Sequence, residues 1–235
     1  MGCSFRTNAL SATDAPASPD AASDARAIDA RAIDARAIDA PPDAKVFLDA
    51  PPLMGSIAGT VIDFGSGDVA LTTEGTLDWA HWGYGGGLGF DHKLTGASIT
   101  NATAVGASKL TVTGVTATAS WADGTPDPAV SQTGTGTGVQ SPGALTFTVP
   151  AGITPHTLRV YCGNKSSTAR LDVALSDGSA TAYSNTQTAG STALHLEYTI
   201  VYNAASDGQT LTVTWTDVAD SSGNGFEMLL SATLQ

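Results

Sequence analysis

The amino-acid sequence predicts an all-β domain, a sandwich of two packed antiparallel sheets, behind a linker that builds no core. Three observations carry that reading. From Gly55 onward apolar and polar residues alternate with period two, clusters of Gly, Asn and Asp interrupt the alternation every 8–12 residues or so, and no stretch sustains a helical stripe. The 235 residues therefore divide into a linker, 1–52, and one domain, 53–235. A domain of that size buries roughly 70% of its extended-chain surface.

In the linker, eight Asp and five Lys or Arg stand among Ala and Pro, with Phe5 and Phe47 as the aromatic side chains. The unit Ala25-Arg26-Ala27-Ile28-Asp29 returns from Ala30 and again from Ala35. A period of five matches neither helix nor strand, so Ile28, Ile33 and Ile38 share no face and cannot be buried together. The segment reads as a disordered or partly helical spacer; a flexible coil of about 50 residues reaches roughly 40 Å on average. Met1-Gly2-Cys3-Ser4 resembles the end of a bacterial lipoprotein signal, and the Asp/Ala/Pro run behind it is similar to the linkers of myxobacterial-type surface lipoproteins. That resemblance implies lipidation at Cys3 and display at the cell surface, on the outer membrane; the other reading leaves Cys3 as an early cysteine.

Within the domain, short strands are expected at 59–64, 69–73, 76–82, 97–104, 109–112 and 115–121. Leu145, Phe147 and Val149 mark a strand that Pro150 ends. Thr157–Cys162 and Thr168–Leu175 form an expected hairpin, with Leu158, Val160, Leu171 and Val173 inward and Arg159 opposite Asp172 outside. The clearest strand places Leu194, Leu196, Tyr198, Ile200 and Tyr202 on one face. Leu211, Val213 and Trp215 form the next inward row, and Phe226, Met228, Leu230, Ala232 and Leu234 form the last. Cys162 falls in an apolar row and is expected to be a small buried thiol, neither bridged to Cys3 nor spaced for zinc.

The formal charge is −12. The domain holds 14 Asp and Glu against five Lys and Arg with no basic cluster. Such a surface repels phosphate backbones and anionic headgroups, which excludes nucleic acid and electrostatic membrane docking and leaves neutral partners such as sugars. A membrane would be reached only through a lipid anchor. A monomer is expected.

The order of these elements, closing on Gly225-Phe226-Glu227-Met228-Leu229-Leu230-Ser231-Ala232-Thr233-Leu234, resembles the galactose-binding-domain-like jelly roll of many carbohydrate-binding modules. Glu74–Gly83, Thr157–Tyr161 and Leu175–Ser179 are similar to segments of β-domains attached to secreted bacterial hydrolases. The resemblance covers residues from about 55 to 235. It implies a non-catalytic domain that binds a polysaccharide or glycan, with a structural calcium for which Asp63, Asp68 or Glu227 would serve. A structural or adhesion module without a sugar ligand is the alternative on the same fold.

Glu74–Lys93 is where a site is expected, because it sets Trp79, Trp82, His81 and His92 beside a run of glycines. Trp79 reads as core. Trp82, Tyr84 and Trp121 are the candidate stacking platform, with Asp78, His81 and Asp91 to take sugar hydroxyls; the competing reading has the rings covering the end of the sandwich. Exposure of those rings would favour sugar binding, and their burial the structural role. No Gly-x-Ser-x-Gly elbow and no helical zinc pair occurs, so no enzyme is expected.

Overall fold

A computed structural model describes residues 54–86, 88–220 and 222–235. Cys3 and the linker repeat lie outside the described residues. The chain runs through β1 (Ser56–Asp63), β2 (Asp68–Ala70), the one-turn α1 (Leu71–Glu74), β3 (Asp78–Trp82), β4 (Phe90–Lys93), β5 (Thr103–Val105) and β6 (Leu110–Thr113). It continues through β7 (Thr118–Trp121), β8 (Gly124–Thr125), β9 (Val130–Thr133), β10 (Thr135–Gln140) and β11 (Ala144–Ala151). The long strands come last: β12 (His156–Lys165), β13 (Ser167–Leu175), β14 (Tyr183–Thr188), β15 (Leu194–Asn203), β16 (Gln209–Asp220) and β17 (Phe226–Leu234).

These strands make a β-sandwich with a third, smaller layer. A nine-stranded sheet has the path β1-β15-β12-β17-β3-β4-β8, with β10 and β6 branching from β17; a five-stranded sheet follows β14-β13-β16-β11-β5. All pairings in these two sheets are antiparallel. The main core lies between them, built from the expected rows on β15, β16, β11 and β12 and including Cys162 as a buried free thiol. Burial pushes that thiol's pKa up, so it stays protonated and inert.

The outer face of the large sheet is covered too. A three-stranded sheet, β2-β7-β9, and α1 pack on it, enclosing Val69, Leu71, Trp79, Trp121, Tyr161, Met228 and Leu230 in a second core. This explains why all five residues of β3 are buried. Its alternation divides them between two cores, with Ala80 and Trp82 in the first and Trp79 in the second. Leu77, which strict alternation would put on the same face as Trp79, precedes the strand and is exposed.

Two details of register differ from expectation. The hairpin Thr157–Cys162 and Thr168–Leu175 does not pair with itself: β12 lies in the large sheet and β13 in the small one, so the turn crosses the sandwich. Arg159 instead lies 3.4 Å from Glu74 and 3.6 Å from Glu197, while Asp172 pairs with Arg170 at 2.7 Å. On β17 a bulge interrupts the ladder to β12: Tyr161 pairs with Ser231 and Cys162 with Leu229, skipping Leu230. The inward set is therefore Leu229, Ala232 and Leu234, and Met228 and Leu230 turn to the second core.

Candidate functional site

The expected platform is closed. Trp82 is 1% exposed and packs in the main core against Phe147 and Phe90, at ring separations of 5.0 and 6.3 Å. Trp121 is 4% exposed; its ring lies between Trp79, His81 and Tyr84, and its Nε1–H donates to the Asp127 carbonyl at 2.8 Å. Neither ring offers a face to a ligand. The physical reasons differ: Trp82 turns into the main core between the two large sheets, while Trp121, on β7 of the third layer, is pressed against Trp79 and His81 on the other face of β3.

The polar partners expected beside those rings are internal as well. Asp78 is fully buried and accepts four backbone N–H groups, from Trp79 at 2.8 Å, Ala97 at 3.2 Å, Ser98 at 2.6 Å and Ile99 at 2.9 Å. His81 is buried with Nδ1 2.9 Å from the Ser231 hydroxyl and Nε2 3.0 Å from that of Thr135; burial lowers its pKa to about 3. Asp91, also buried, accepts the Asp127 N–H at 3.0 Å, and desolvation raises its pKa. Of the six residues, Tyr84 alone stays half-buried at the surface. With Gly83, Gly86, Thr111 and Asp127 it lines a shallow depression of about 560 Å³.

A better-formed groove, about 480 Å³, opens elsewhere, on the outer face of the large sheet beside the small layer. Its floor is the row His195, Phe226 and Met228, and its walls are the turns Asp63–Ser66 and Thr113–Thr116, with Lys165 and Thr192 at the rim. Sequence alternation dictates that floor: β15 sends Leu194 and Leu196 into the main core, which turns His195 outward. The His195 Nδ1 lies 2.9 Å from the Gly65 carbonyl, so it carries the ring hydrogen and leaves Nε2 as an acceptor. The Thr116 hydroxyl is 3.3 Å from the same Nδ1. The Asp63 carboxylate accepts the Gly65 N–H at 2.9 Å, shaping the turn. The wall at Gly114 needs its glycine, with φ of +70°.

The sequence reading missed these groove residues. Alternation alone puts Phe226 inward, because the bulge on β17 leaves no mark in it, and a lone histidine such as His195 reads as a surface or packing residue and not as a ligand contact. Among the described residues no cluster of three or more Asp, Glu, His or Cys is placed to hold a metal. Of the carboxylates expected for calcium, Asp63 and Asp68 are exposed; Asp68 accepts the hydroxyls of Thr118 at 2.7 Å and Ser120 at 2.9 Å. Glu227 is buried.

No family model matches the chain, and no curated protein matches it. Among solved structures it is similar to the enzymatically active domain of bacteriophage CBA120 tailspike protein 4, at 12% identity and a TM-score of 0.37, over 59% of this chain and 20% of that one. It is also similar to TmCBM61 in complex with β-1,4-galactotriose, at 10% identity and a TM-score of 0.37, over 61% of this chain and 90% of that one. A third likeness is to carbohydrate-binding modules of the β-sandwich superfamily, at 11% identity and a TM-score of 0.20, over 73% of this chain and 99% of that one. The chain thus spans about a fifth of the tailspike chain's length.

Proposed function

We propose that this is a non-catalytic carbohydrate-binding domain whose ligand lies in the groove over His195, Phe226 and Met228. The observation that carries the reading is the groove's chemistry. A half-buried aromatic ring stands beside an imidazole acceptor, with threonine hydroxyls and one group of each charge around it. A saccharide presents an apolar C–H face and vicinal hydroxyls, which is the complement of that arrangement. The domain's negative charge disfavours polyanions at the same place. The groove is open, which suits contact with a chain or a terminal sugar at modest affinity. Display at the cell surface through lipidated Cys3, with the domain as a monomer, completes the proposal.

Burial of Trp82 and Trp121 favours the second reading, a structural or adhesion module with no sugar ligand. A glycan array and polysaccharide pull-down with the full chain separates the two. Phe226→Ala is expected to weaken retention about tenfold, the loss of one ring contact of about 1.4 kcal/mol, while Tyr84→Ala leaves it unchanged. Failure of the folded wild type to retain any saccharide would replace this reading with the second.

A further inference from the structure

The groove over His195 is where the second core runs out from under the small layer. Val112, Val115 and Met228 belong to that core and also line the groove, with Ala193 and Phe226 packed against it. One sugar face needs one ring, which Phe226 supplies. The apolar wall therefore exceeds what a bare sugar would cover, and it continues directly beside the imidazole. His195, Gly163 and Met228 pair in register across β15, β12 and β17, so two strand spacings of about 4.8 Å separate the histidine from the methionine. Gly163 lacks the side chain that would fill the gap, and a Cβ there would lie 2.6 Å from the Met228 Cε. The Met228 methyl thus reaches onto the strand next to His195.

The imidazole supplies the polar half of the same place. Its Nδ1–H is committed to the Gly65 carbonyl at 2.9 Å, and the Thr116 hydroxyl, 3.3 Å from the same nitrogen, ties the ring to the turn that carries Val115. Among the described residues no donor reaches Nε2, and that atom is not sealed in the core. A neutral acceptor is thus left open beside methyl groups. The complement of that pair is a small secondary amide. Such an amide is planar and trans, so its N–H and its acyl methyl point to one side and its carbonyl to the other.

We propose that the ligand of this groove is a glycan of 2-acetamido sugars, the acetamido N–H donating to His195 Nε2 and its methyl resting against Val115 and Met228. The proposal rests on the carbohydrate reading of the groove and narrows it. The Phe226 ring takes the C–H face of the sugar, and the acetamido carbonyl is left to water or to Thr192 and Lys165 at the rim. A plain hydroxyl at the same carbon could donate to Nε2 equally well, but it would leave the apolar wall against water. Among acetamido glycans, the domain's negative charge selects a neutral, chitin-like chain over peptidoglycan, whose carboxylates it repels.

The test presents the full chain with matched pairs of polyvalent sugar conjugates: N-acetylglucosamine against glucose, and N-acetylgalactosamine against galactose. In whichever ring series is retained, the acetamido member is expected to bind about tenfold more tightly, the lower end of what one methyl contributes in an apolar pocket. Phe226→Ala is expected to weaken both members of a pair alike, and His195→Phe, similar in shape, to bring their ratio close to one. Equal retention of the two members by the wild type, or retention confined to sugars without the group, would overturn the acetamido assignment and leave the carbohydrate reading standing. No retention of any saccharide would overturn both. A preference kept by a folded His195→Phe would overturn the contact with Nε2; if that variant does not fold, the matched pairs decide, since they need no substitution. Insoluble chitin is expected to retain the chain more than peptidoglycan does, and the reverse order would overturn the choice of a neutral chain.

Discussion

Asp78→Ala is expected to destabilise the domain by about 3–5 kcal/mol, a large part of the 5–15 kcal/mol typical of a domain. One carboxylate gathers the loop after β4: Oδ1 accepts the Trp79 N–H, and Oδ2 accepts those of Ala97, Ser98 and Ile99. Trp79 and Ile99 are buried, so alanine strands at least two donors away from water, at about 1–3 kcal/mol each. It also removes bonds strengthened by charge. Asp78→Asn is expected to cost nearly as much, because its amide would turn a donor toward one set of N–H groups. The check is the urea midpoint of each variant at unchanged m-value. A loss under about 1 kcal/mol together with lost saccharide retention would instead return Asp78 to the ligand-contacting role that its neighbours in sequence suggested.

The main core was legible because its long strands alternate cleanly. Leu194 to Tyr202 and Leu211 to Trp215 each declare one inward row, and the structure buries both, with Leu194 half-buried at the end of the first. Three features left no such mark. In β10 Gly136 and Gly138 hide a strand, since a Cβ at either would lie 2.8 or 2.7 Å from a β17 carbonyl; glycine there answers to close packing, not to a turn. The β17 bulge moves Met228 and Leu230 to the other face with no change of composition. The third layer is a matter of which surface β2, β7 and β9 cover, and alternation within a strand says nothing about that. Hence Trp121 reads as a rim in the sequence and is core in the structure, and Trp82, whose side of β3 faces the main core, is buried without any help from that layer.

His81 supplies the second large effect, a loss of stability in acid. The ring is buried with its nitrogens beside two hydroxyls, and desolvation lowers its pKa from 6.5 to about 3. Between those values the unfolded chain binds a proton that the folded one refuses, so the stability His81 gives is complete above 6.5 and drains away as pH falls. By pH 4 the loss is about 3 kcal/mol. Other groups titrate nearby. Glu227, raised to about 8, and the raised Asp91 and Asp217 favour the folded state as pH falls, whereas the lowered carboxyls of Asp123, Asp177 and Asp220 lose stability only below 3.8. Comparison with His81→Asn, both proteins in chelator, subtracts these unchanged groups. Asparagine keeps one hydroxyl partner, so the variant is expected to be less stable by about 1–2 kcal/mol at pH 7. Its acid limb is expected to be flatter, with the order of stabilities inverting below about pH 5. Parallel denaturation midpoints from pH 7 to pH 4 would show that the imidazole takes up its proton in the folded protein, and that Ser231 and Thr135 surround a charged ring instead of a neutral one.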